Sequence, residues 1–577
     1  MITAAEQHRR IQRLAAPQPA VLGIVAVGLF ASALVLYGLT RPHALFGVVQ
    51  YDDGVYFDAA IRLVTGHLPY RDFTMVQPPG IAVLFAPVAL IARHVGTRDG
   101  LAIARCVTAV VAGFNAYLAG RLLLHRGAAA AVLASSAVAL FPAAVFADRT
   151  LLLEPYVVLF CLLGARRCFV DGEVATRRQI VLGGICFGVA ITTKTWAVVI
   201  VASTCLAFLG GRSDASPDRF HRLKDCTALL GSTAAAAGLI CLPFFVASPR
   251  AFFHDVIVVQ LSRAAGATTP TWVRLADIVG IDGTGVTATP LLAFLVTGIV
   301  VAVLIVGGLI PALRRESQGL ERFALIATAL STLALLVPSE YFSHYAYFVA
   351  PFLACSLASA LIQLARFPRR PRTANGSPSS AVAIAMAFAL VIAASGLTLG
   401  ESRFDNALVA SAGDPSLAID LAIPAGSCAI SDAMILLVEA DRATSNASTC
   451  APAVDATGVW LANAPQDPPL SCQAVDPLLV STWQSYFKSA DFFVESGSST
   501  NRVPWTVGLR SWFKRTYRHV PDPGANIFVR LGTPFAATAL DPAKWTAAKL
   551  LSEGWRPSPH HATTHRFTLP ACLASRT

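Results

Sequence analysis

An acidic stretch follows directly after the first apolar segment of the chain. Residues 51–80 read YDDGVYFDAAIRLVTGHLPYRDFTMVQPPG and hold the adjacent carboxylates Asp52 and Asp53, with Asp58 and Asp72 further on. Carboxylates close to a bilayer are costly to desolvate unless a partner or substrate uses them. Two adjacent acids at a membrane surface suit proton removal by a general base, or the holding of a cation. The alternative is a solvated loop whose acids only face water.

Further polar residues stand at the ends of later apolar segments, namely Asp148, Arg149, Glu154, Lys194 and His344. Asp148 and Glu154 offer a second carboxylate, and the other three side chains are suited to holding a leaving phosphate. Together with the acid pair, these residues would form a site that brings a polar acceptor and a phosphate-bearing lipid together. Each cation also has a simpler explanation: Lys194 extends its ammonium group to the interface, His344 is a satisfied interface histidine, and Arg149 pairs with Asp148.

The composition places these residues in a membrane protein. The chain has 577 residues, of which 55% are hydrophobic and 14% charged, and its mean hydropathy is +0.59. This composition is too apolar for a soluble protein of this length, and the apolar residues occur in long runs. The net charge of +11 does not indicate nucleic acid, because much of the arginine and lysine lies in short loops between the apolar runs.

The apolar runs and basic loops predict about eleven crossings of a bilayer with a cytoplasmic N-terminus. Asp52, Asp148, Lys194 and His344 then share the outer face. Residues 81–92 are too short for a crossing and predict a juxtamembrane or re-entrant helix. The predicted crossings are residues 21–39, 101–124, 128–146 and 156–168, two short spans within 180–209, and residues 229–246, 291–313, 323–337, 345–364 and 381–399.

Residues 400–577 contain no predicted crossing and lie outside the cytoplasm by the same count. Their length is enough for one small globular domain. Their pattern alternates between strands and helices, which favours a small α/β layer domain. The predicted strands are 427–431, 490–495 and 526–530, and the predicted helices are 433–440 and 509–517.

The cysteines agree with two compartments. Eight of the twelve cysteines lie in or beside the predicted crossings, where a free thiol is a small buried apolar group. Cys428, Cys450, Cys472 and Cys572 lie in the outer domain, where an even number permits disulfides of unspecified connectivity. Three histidines resemble a metal cluster, but their polar surroundings favour a solvated tail: His560, His561 and His565.

Several motifs follow one another in a fixed order along residues 51–365. The acid pair comes first, then Gln77-Pro78-Pro79-Gly80, and then Arg105 early in the next apolar segment. Residues 148–154 read DRTLLLE and bring the second outer carboxylates. Residues 183–194 read GGICFGVAITTK, a glycine-rich segment that ends in a lysine.

This order and sidedness resemble those of the polytopic GT-C glycosyltransferases. The likeness is greatest to the branch of protein O-mannosyltransferases and lipid A aminoarabinose transferases. In that branch Asp-Glu or a single Asp stands at the acid pair, and His-Pro-Pro stands at residues 77–79. Gln77 in place of the histidine removes a titratable group, so this position is a weak candidate for proton transfer. The outer domain, residues 400–577, lies beyond the shared core.

The resemblance implies a fold and a reaction. The fold would be an α-helical polytopic membrane protein, with a catalytic GT-C-like domain at residues 1–399, the acidic motif in an outer loop at 40–100, and an extracytoplasmic α/β domain at 400–577. The reaction would be an inverting transfer of a hexosyl or pentosyl unit from a polyprenyl-phosphate donor to an acceptor hydroxyl. This belongs to cell-envelope glycan or glycoprotein synthesis at the plasma membrane.

The resemblance also implies roles and partners. Asp53 or Asp52 would be the base, and Glu154 or Asp148 would orient the acceptor or an ion. The donor phosphate would face Lys194, Arg105, His344 and Arg149. The acceptor would be an envelope glycan, lipid or protein. No metal ligand set is assigned, and a divalent cation stays open because related enzymes differ.

Two other classes of function fit the same composition. A transporter or flippase of lipid-linked sugars would grip phosphate with the same cations, but the two halves of the chain show no internal repeat. A structural scaffold would bind envelope polymer through its outer domain, and it would be insensitive to a change at Asp53.

Overall fold

The computed structural model describes residues 18–210, 219–263, 269–282, 288–313, 318–366, 414–463, 476–496, 502–521 and 525–545. The predicted crossing at 381–399 lies outside these residues. So do the remaining outer cysteines and the three histidines of the tail, which are Cys472, Cys572, His560, His561 and His565.

Up to residue 366 the described residues are mostly helical. Its α-helices are α1 Gln18–Leu39, α2 Tyr51–Val64, α3 Gly80–Val95, α4 Thr97–Leu122, α5 Ala128–Ala139, α6 Pro142–Ala147, α7 Glu154–Cys168, α8 Arg177–Thr193, α9 Val198–Leu209, α10 Arg219–Ala247, α11 Pro249–Phe253, α12 Val259–Ser262, α13 Thr271–Ile278, α14 Pro290–Leu313, α15 Gly319–Leu336 and α16 Ala350–Arg366. A short antiparallel pair, β1 Phe169–Val170 and β2 Glu173–Val174, follows α7.

Among the described residues, five helices are long and apolar enough to cross a membrane: Pro19–Leu39, Thr97–Leu122, Phe220–Ala247, Pro290–Gly308 and Gly319–Leu336. Shorter apolar helices lie at Gly80–Val95, Ala128–Ala139, Thr195–Leu209 and Ala350–Ala365. A helix needs about 20 apolar residues to cross a bilayer without help from its neighbours. The predicted number of crossings therefore stays a prediction.

Two predicted segments are interrupted in the structure. The predicted crossing 128–146 forms two helices, because α5 ends at Ala139 and Pro142 begins α6. Proline lacks the N–H that would continue a helix and clashes with the preceding turn. The apolar stretch 180–209 also breaks as predicted: α8 ends at Thr193, Lys194 takes an extended conformation, and a 3₁₀ turn at Thr195–Ala197 leads into α9.

The C-terminal region, residues 414–545, surrounds a four-stranded sheet. Its elements are α17 Ser416–Ala422, β3 Ala429–Ser431, α18 Ile435–Glu439, α19 Ala456–Asn463, α20 Pro477–Ser489, β4 Phe492–Glu495, α21 Val507–Thr516, β5 Tyr517–His519, β6 Asn526–Arg530 and α22 Ala536–Ala539. The strand order is β3-β4-β6-β5, with β3 parallel to β4 and the other neighbours antiparallel.

The two faces of this sheet bury different cores. Successive residues of a strand point to opposite faces. Phe492 and Val494 of β4 belong to the apolar cluster that also contains residues of α2 and α3, such as Phe57 and Phe85. Phe493 instead joins an aromatic cluster on the other face, with Trp483, Phe487 and Phe513 among its members. The C-terminal region therefore shares one core with the acidic helix and has a second core of its own.

Gly54 allows this close approach. It follows the acid pair on α2, and a Cβ built at this position would overlap the backbone of Ile435 in α18. Only glycine lets the two helices meet at this distance. The helix that carries the two acids is thereby packed directly against the C-terminal region.

Candidate functional site

The two adjacent acids have different environments. They lie in the first turn of α2, where consecutive residues project about 100° apart, since a turn holds 3.6 residues. Asp53 is fully buried, and its Oδ2 accepts hydrogen bonds from Arg105 Nη2 at 2.7 Å and from Arg105 Nε at 3.1 Å. Its Oδ1 accepts from the backbone N–H of Leu151 at 2.7 Å. Both oxygens of Asp53 are thus engaged with the protein.

Arg105 is also fully engaged. Beyond its bonds to Asp53, Nη1 donates to Glu439 Oε1 at 2.8 Å and to the carbonyl of Leu45 at 2.7 Å, and Nη2 donates to the carbonyl of Gly47 at 3.0 Å. A guanidinium group has five N–H donors, and all five are used here. An incoming phosphate would have to displace these contacts, so the geometry favours a structural role for Arg105.

Asp52 is held differently from its neighbour. It is partly exposed, and within the described residues its carboxylate forms neither a hydrogen bond nor an ion pair. Burial raises the pKa of Asp52 to about 7, the negative charge of Asp455 adds to this, and Arg263 opposes it. A carboxylate with this pKa takes up and releases a proton near neutral pH. Of the two acids, Asp52 is the one available to a substrate.

Glu154 and Lys194 form a buried ion pair close to Asp52. Glu154 begins α7 and Lys194 follows the last residue of α8, and Lys194 Nζ lies 2.5 Å from Glu154 Oε1. The same ammonium group lies 3.9 Å from the ring centroids of Trp196 and Tyr345. Such a cage holds the cation by charge and by the ring faces together. Charges of both Glu154 and Lys194 act on Asp52.

His344 approaches the same ion pair from another element. It lies in the 3₁₀ segment Ser343–Phe348, with Nε2 at 4.0 Å from Glu154 Oε2. Its ring stacks on Phe342 at a centroid distance of 5.7 Å and an interplanar angle of 15°. Among the described residues, Glu154 Oε2 has no hydrogen-bond partner although it is buried. The structure therefore brings Asp52, Glu154, Lys194 and His344 together.

Asp148 and Arg149 have other neighbours. The carboxylate of Asp148 interacts with Tyr347, whose hydroxyl accepts a hydrogen bond of 2.9 Å from Asn115. Arg149 donates from Nε to the carbonyl of Val145 at 3.2 Å, and its side chain passes close to Gly38 of α1. Both residues are buried and lie near the start of α7. Asp148 contacts Tyr347 of the 3₁₀ segment that also carries His344, and Arg149 contacts α1 and α6.

Two residues that the sequence did not single out also reach Asp52. Arg263, directly after α12, forms an ion pair with Glu340 and acts electrostatically on Asp52. Asp455, directly before α19, accepts a hydrogen bond from the hydroxyl of Tyr51 at 3.1 Å. An aspartate before an apolar helical run is a recognisable N-cap signal, but nothing in its local sequence indicates a position beside Asp52.

The described residues contain no group of three or more His, Cys, Asp or Glu side chains that could hold a metal ion. The acids at this site are instead accompanied by cations of the protein. The arrangement can accept a proton at Asp52 and place positive charge from Lys194 and Arg263 nearby.

Comparison with solved structures identifies the architecture. ArnT from Cupriavidus metallidurans bound to undecaprenyl phosphate superposes with a TM-score of 0.55 at 14% identity, covering 90% of this chain and 99% of that chain. Its apo state gives a TM-score of 0.55, with 89% and 98% covered. This chain has the GT-C glycosyltransferase fold. The resemblance drawn from the motifs is confirmed at the level of the fold.

A second relation within the GT-C fold is weaker. The Archaeoglobus fulgidus oligosaccharyltransferase complex with Zn and sulfate has a TM-score of 0.49 at 14% identity, with 91% of this chain and 76% of that chain covered. The sequence matches no family model and no curated protein sequence. The GT-C fold and the five long apolar helices make this chain a membrane protein.

Proposed function

We propose that this chain is a membrane glycosyltransferase that moves a sugar from a polyprenyl-phosphate donor to an acceptor hydroxyl. In the transfer the hydroxyl proton passes to a carboxylate, and the acceptor oxygen bonds to the anomeric carbon. The bond from that carbon to the phosphate oxygen breaks, and the polyprenyl phosphate leaves with the electron pair. A single displacement of this kind inverts the configuration of the anomeric carbon.

The observation that carries the proposal is the state of Asp52 on the GT-C fold. Its carboxylate has no hydrogen-bond partner in the described part of the chain, it is desolvated, and its pKa is raised to about 7. A general base works best when its pKa lies near the operating pH. Asp53, in contrast, accepts bonds on both oxygens from Arg105 and Leu151. We therefore assign the base to Asp52 and a supporting structural role to Asp53 and Arg105.

The phosphate of the donor requires positive charge near Asp52. Lys194 is the leading candidate, because its ammonium group is buried at the site and fixed by Glu154, Trp196 and Tyr345. Glu154 then serves to orient Lys194. His344 is a second candidate, with its Nε2 beside Glu154.

The other outer-face candidates have weaker claims. Asp148 and Arg149 remain proposals for orienting the acceptor and for binding phosphate, respectively. Asp148 contacts Tyr347 of the 3₁₀ segment Ser343–Phe348, and Arg149 contacts α1 and α6.

An apolar cavity among the membrane helices suits part of a polyprenyl chain. It has a volume of about 290 Å³, and its lining includes Leu140, Phe141, Ile299, Val303, Leu353 and Leu357. In this proposal the protein resides in the plasma membrane, and its C-terminal region lies outside the cytoplasm.

The test is direct transfer by the purified protein in lipid vesicles. It is supplied with a panel of radiolabelled polyprenyl-phosphate sugars, together with envelope glycan, lipid and protein fractions as acceptors. We expect label to move from one donor to one acceptor class, and the Asp52→Asn variant to lose this transfer. If the wild-type protein is folded, as judged by a cooperative thermal unfolding transition, and still transfers label from none of the donors, the proposal is contradicted.

A further inference from the structure

The C-terminal region supplies a carboxylate to the neighbourhood of the acid pair. Asp455 immediately precedes α19 and is 6% exposed. Its Oδ1 accepts two hydrogen bonds, from the backbone N–H of Gly458 at 2.7 Å and from the hydroxyl of Tyr51 at 3.1 Å. Within the described residues its Oδ2 accepts none. The first bond caps α19, and the second connects this helix to the residue before Asp52.

Tyr51 is held at this position from several sides. Its hydroxyl accepts the backbone N–H of Thr457 at 3.0 Å while it donates to Asp455. The guanidinium of Arg502 lies 4.1 Å from the centroid of its ring, and Arg502 Nε donates to Thr457 Oγ1 at 3.2 Å. Tyr51 is the first residue of α2, so these contacts fix the start of the helix on which Asp52 is the second residue.

The charges that face Asp52 come from separate elements. Asp455 and Glu154 are the acids, Arg263 and Lys194 are the cations, and the hydroxyls of Tyr56 and Tyr345 lie among them. Asp455 in turn faces Arg502, Asp255, Tyr486 and Arg263. Of the two acids around Asp52, Glu154 is neutralised at 2.5 Å by Lys194. Within the described part of the chain Asp455 forms no ion pair, and its Oδ1 bonds are to a hydroxyl and a backbone N–H.

We propose that Asp455 is a positioning residue of the candidate active site, which fixes Tyr51 through Oδ1 and presents its negative charge to Asp52. The C-terminal region would then be a component of the site as well as a neighbour of it. This inference rests on the proposed function for its meaning, since the effect of Asp455 on Asp52 matters only if Asp52 is a base. Its physical content can be measured without any transfer.

The plainer role of Asp455 is to cap α19 alone. Asp455→Asn separates the two roles, because the asparagine Oδ1 still accepts from Gly458 and Tyr51 while the charge is lost. The matched control is Asp476→Asn. Asp476 caps α20 in the same region by accepting the backbone N–H of Leu478 at 2.7 Å, and it is exposed.

The readout is modification of Asp52 by the hydrophobic reagent dicyclohexylcarbodiimide, which reacts with protonated carboxyl groups. The full-length protein in vesicles is labelled across a range of pH, and the extent at Asp52 is measured by peptide mass spectrometry. Burial raises the pKa of Asp52 to about 7 and the nearby charge of Asp455 adds to the shift, so wild-type labelling should fall to half near that pH. Burial raises the pKa of Asp455 as well, so the wild-type curve is that of a coupled pair.

We expect Asp455→Asn to move the midpoint of Asp52 labelling to lower pH, since Asp52 then ionises without the negative charge of Asp455 nearby. Asp476→Asn should leave the midpoint unchanged. In the transfer assay the acid limb of the kcat/KM profile should move in the same direction. An unchanged labelling midpoint in Asp455→Asn, or an equal displacement in Asp476→Asn, overturns the inference. Displaced labelling without transfer by any variant would instead contradict the proposed function and leave the inference standing.

Discussion

Arg105 donates a hydrogen bond of 2.8 Å to Glu439, and both side chains are buried. The same guanidinium holds Asp53, so one positive charge lies between a carboxylate of α2 and a carboxylate of α18. Arg98 Nε also lies 3.8 Å from Glu439 Oε2, yet burial of this carboxylate still outweighs both cations and raises its pKa to about 7. This arrangement connects the C-terminal region to the acidic helix, and it makes that connection sensitive to pH.

The first prediction concerns the effect of pH on stability. Burial raises the pKa of Glu439 to about 7 from its ordinary value of 4.5, and Arg105 opposes the shift only in part. The folded protein therefore binds this proton more tightly than the unfolded chain does. Stability from this group is fully present below about pH 4.5 and is lost as the pH rises through about 7.

Glu439→Gln tests this sign. Glutamine retains an acceptor for Arg105 but does not titrate. We expect the thermal unfolding midpoint of the wild type to fall as the pH rises from about 4.5 to about 7, and that of Glu439→Gln to fall less. Glu173→Gln on exposed β2 is the control and should follow the wild type. If the unfolding midpoints of the wild type and of Glu439→Gln fall equally with pH, the group that titrates is not Glu439.

The second prediction separates the two adjacent acids. Asp52→Asn should reduce transfer by about a hundred- to ten-thousand-fold, the usual contribution of a general base, with little change in the unfolding midpoint. Asp53→Asn should lower that midpoint, because it removes the charge that pairs with buried Arg105. Loss of one partner from a buried ion pair typically costs about 3–5 kcal/mol.

Both variants are measured for turnover and for thermal unfolding in the same vesicles. The informative comparison is turnover per folded molecule. If Asp53→Asn abolishes turnover in fully folded protein while Asp52→Asn remains active, the base is Asp53 and our assignment must be reversed.

Several elements follow from local sequence alone. Strand β6 has the predicted bounds, 526–530, because its β-branched and aromatic residues alternate between the two faces of the sheet. The break at Lys194 also follows from its local sequence. The local sequence does not show which of the adjacent acids Asp52 and Asp53 is free, since the partner of Asp53, Arg105, lies 52 residues away along the chain. The contact of Tyr51 with Asp455 spans 404 residues and depends on how the sheet packs against α2.

The third prediction concerns Lys194 and Glu154. Lys194→Met leaves Glu154 buried at 1% exposure without its cation and should be destabilising by about 3–5 kcal/mol. The double variant Lys194→Met with Glu154→Gln removes both charges and should recover most of this loss. Donor binding should be weakened in both variants, because both lack the cation that we propose for the donor phosphate.

The measurements for this pair are the unfolding midpoint and the KM for the donor. A double variant with wild-type donor KM would show that Lys194 serves only the ion pair. Lys194→Arg keeps the charge and is the companion variant, although the larger guanidinium must fit between Trp196 and Tyr345.

The last prediction concerns the disulfide between Cys428 and Cys450, one of the pairings that the sequence left open. The bond closes a loop over a sequence separation of 22, and that loop contains α18 with Glu439. Cys450 also lies five residues before Asp455, so the bond restrains the segments that carry Glu439 and Asp455. A loop of this length is worth about 3 kcal/mol by the chain-entropy estimate.

Changing both cysteines to serine should lower the unfolding midpoint of the C-terminal region and also reduce turnover, because the segments that hold Tyr51 and Arg105 lose a common restraint. Cys106→Ser, at a free cysteine in α4, is the control and should change neither quantity. Peptide mapping without reductant should recover Cys428 and Cys450 joined, which is what our proposal of a region outside the cytoplasm requires. If both are recovered as free thiols, no disulfide restrains these segments and the prediction is wrong. If the two cysteines are joined in the wild type and the double serine variant still has full turnover, Glu439 and Asp455 keep their places through packing against α2 alone.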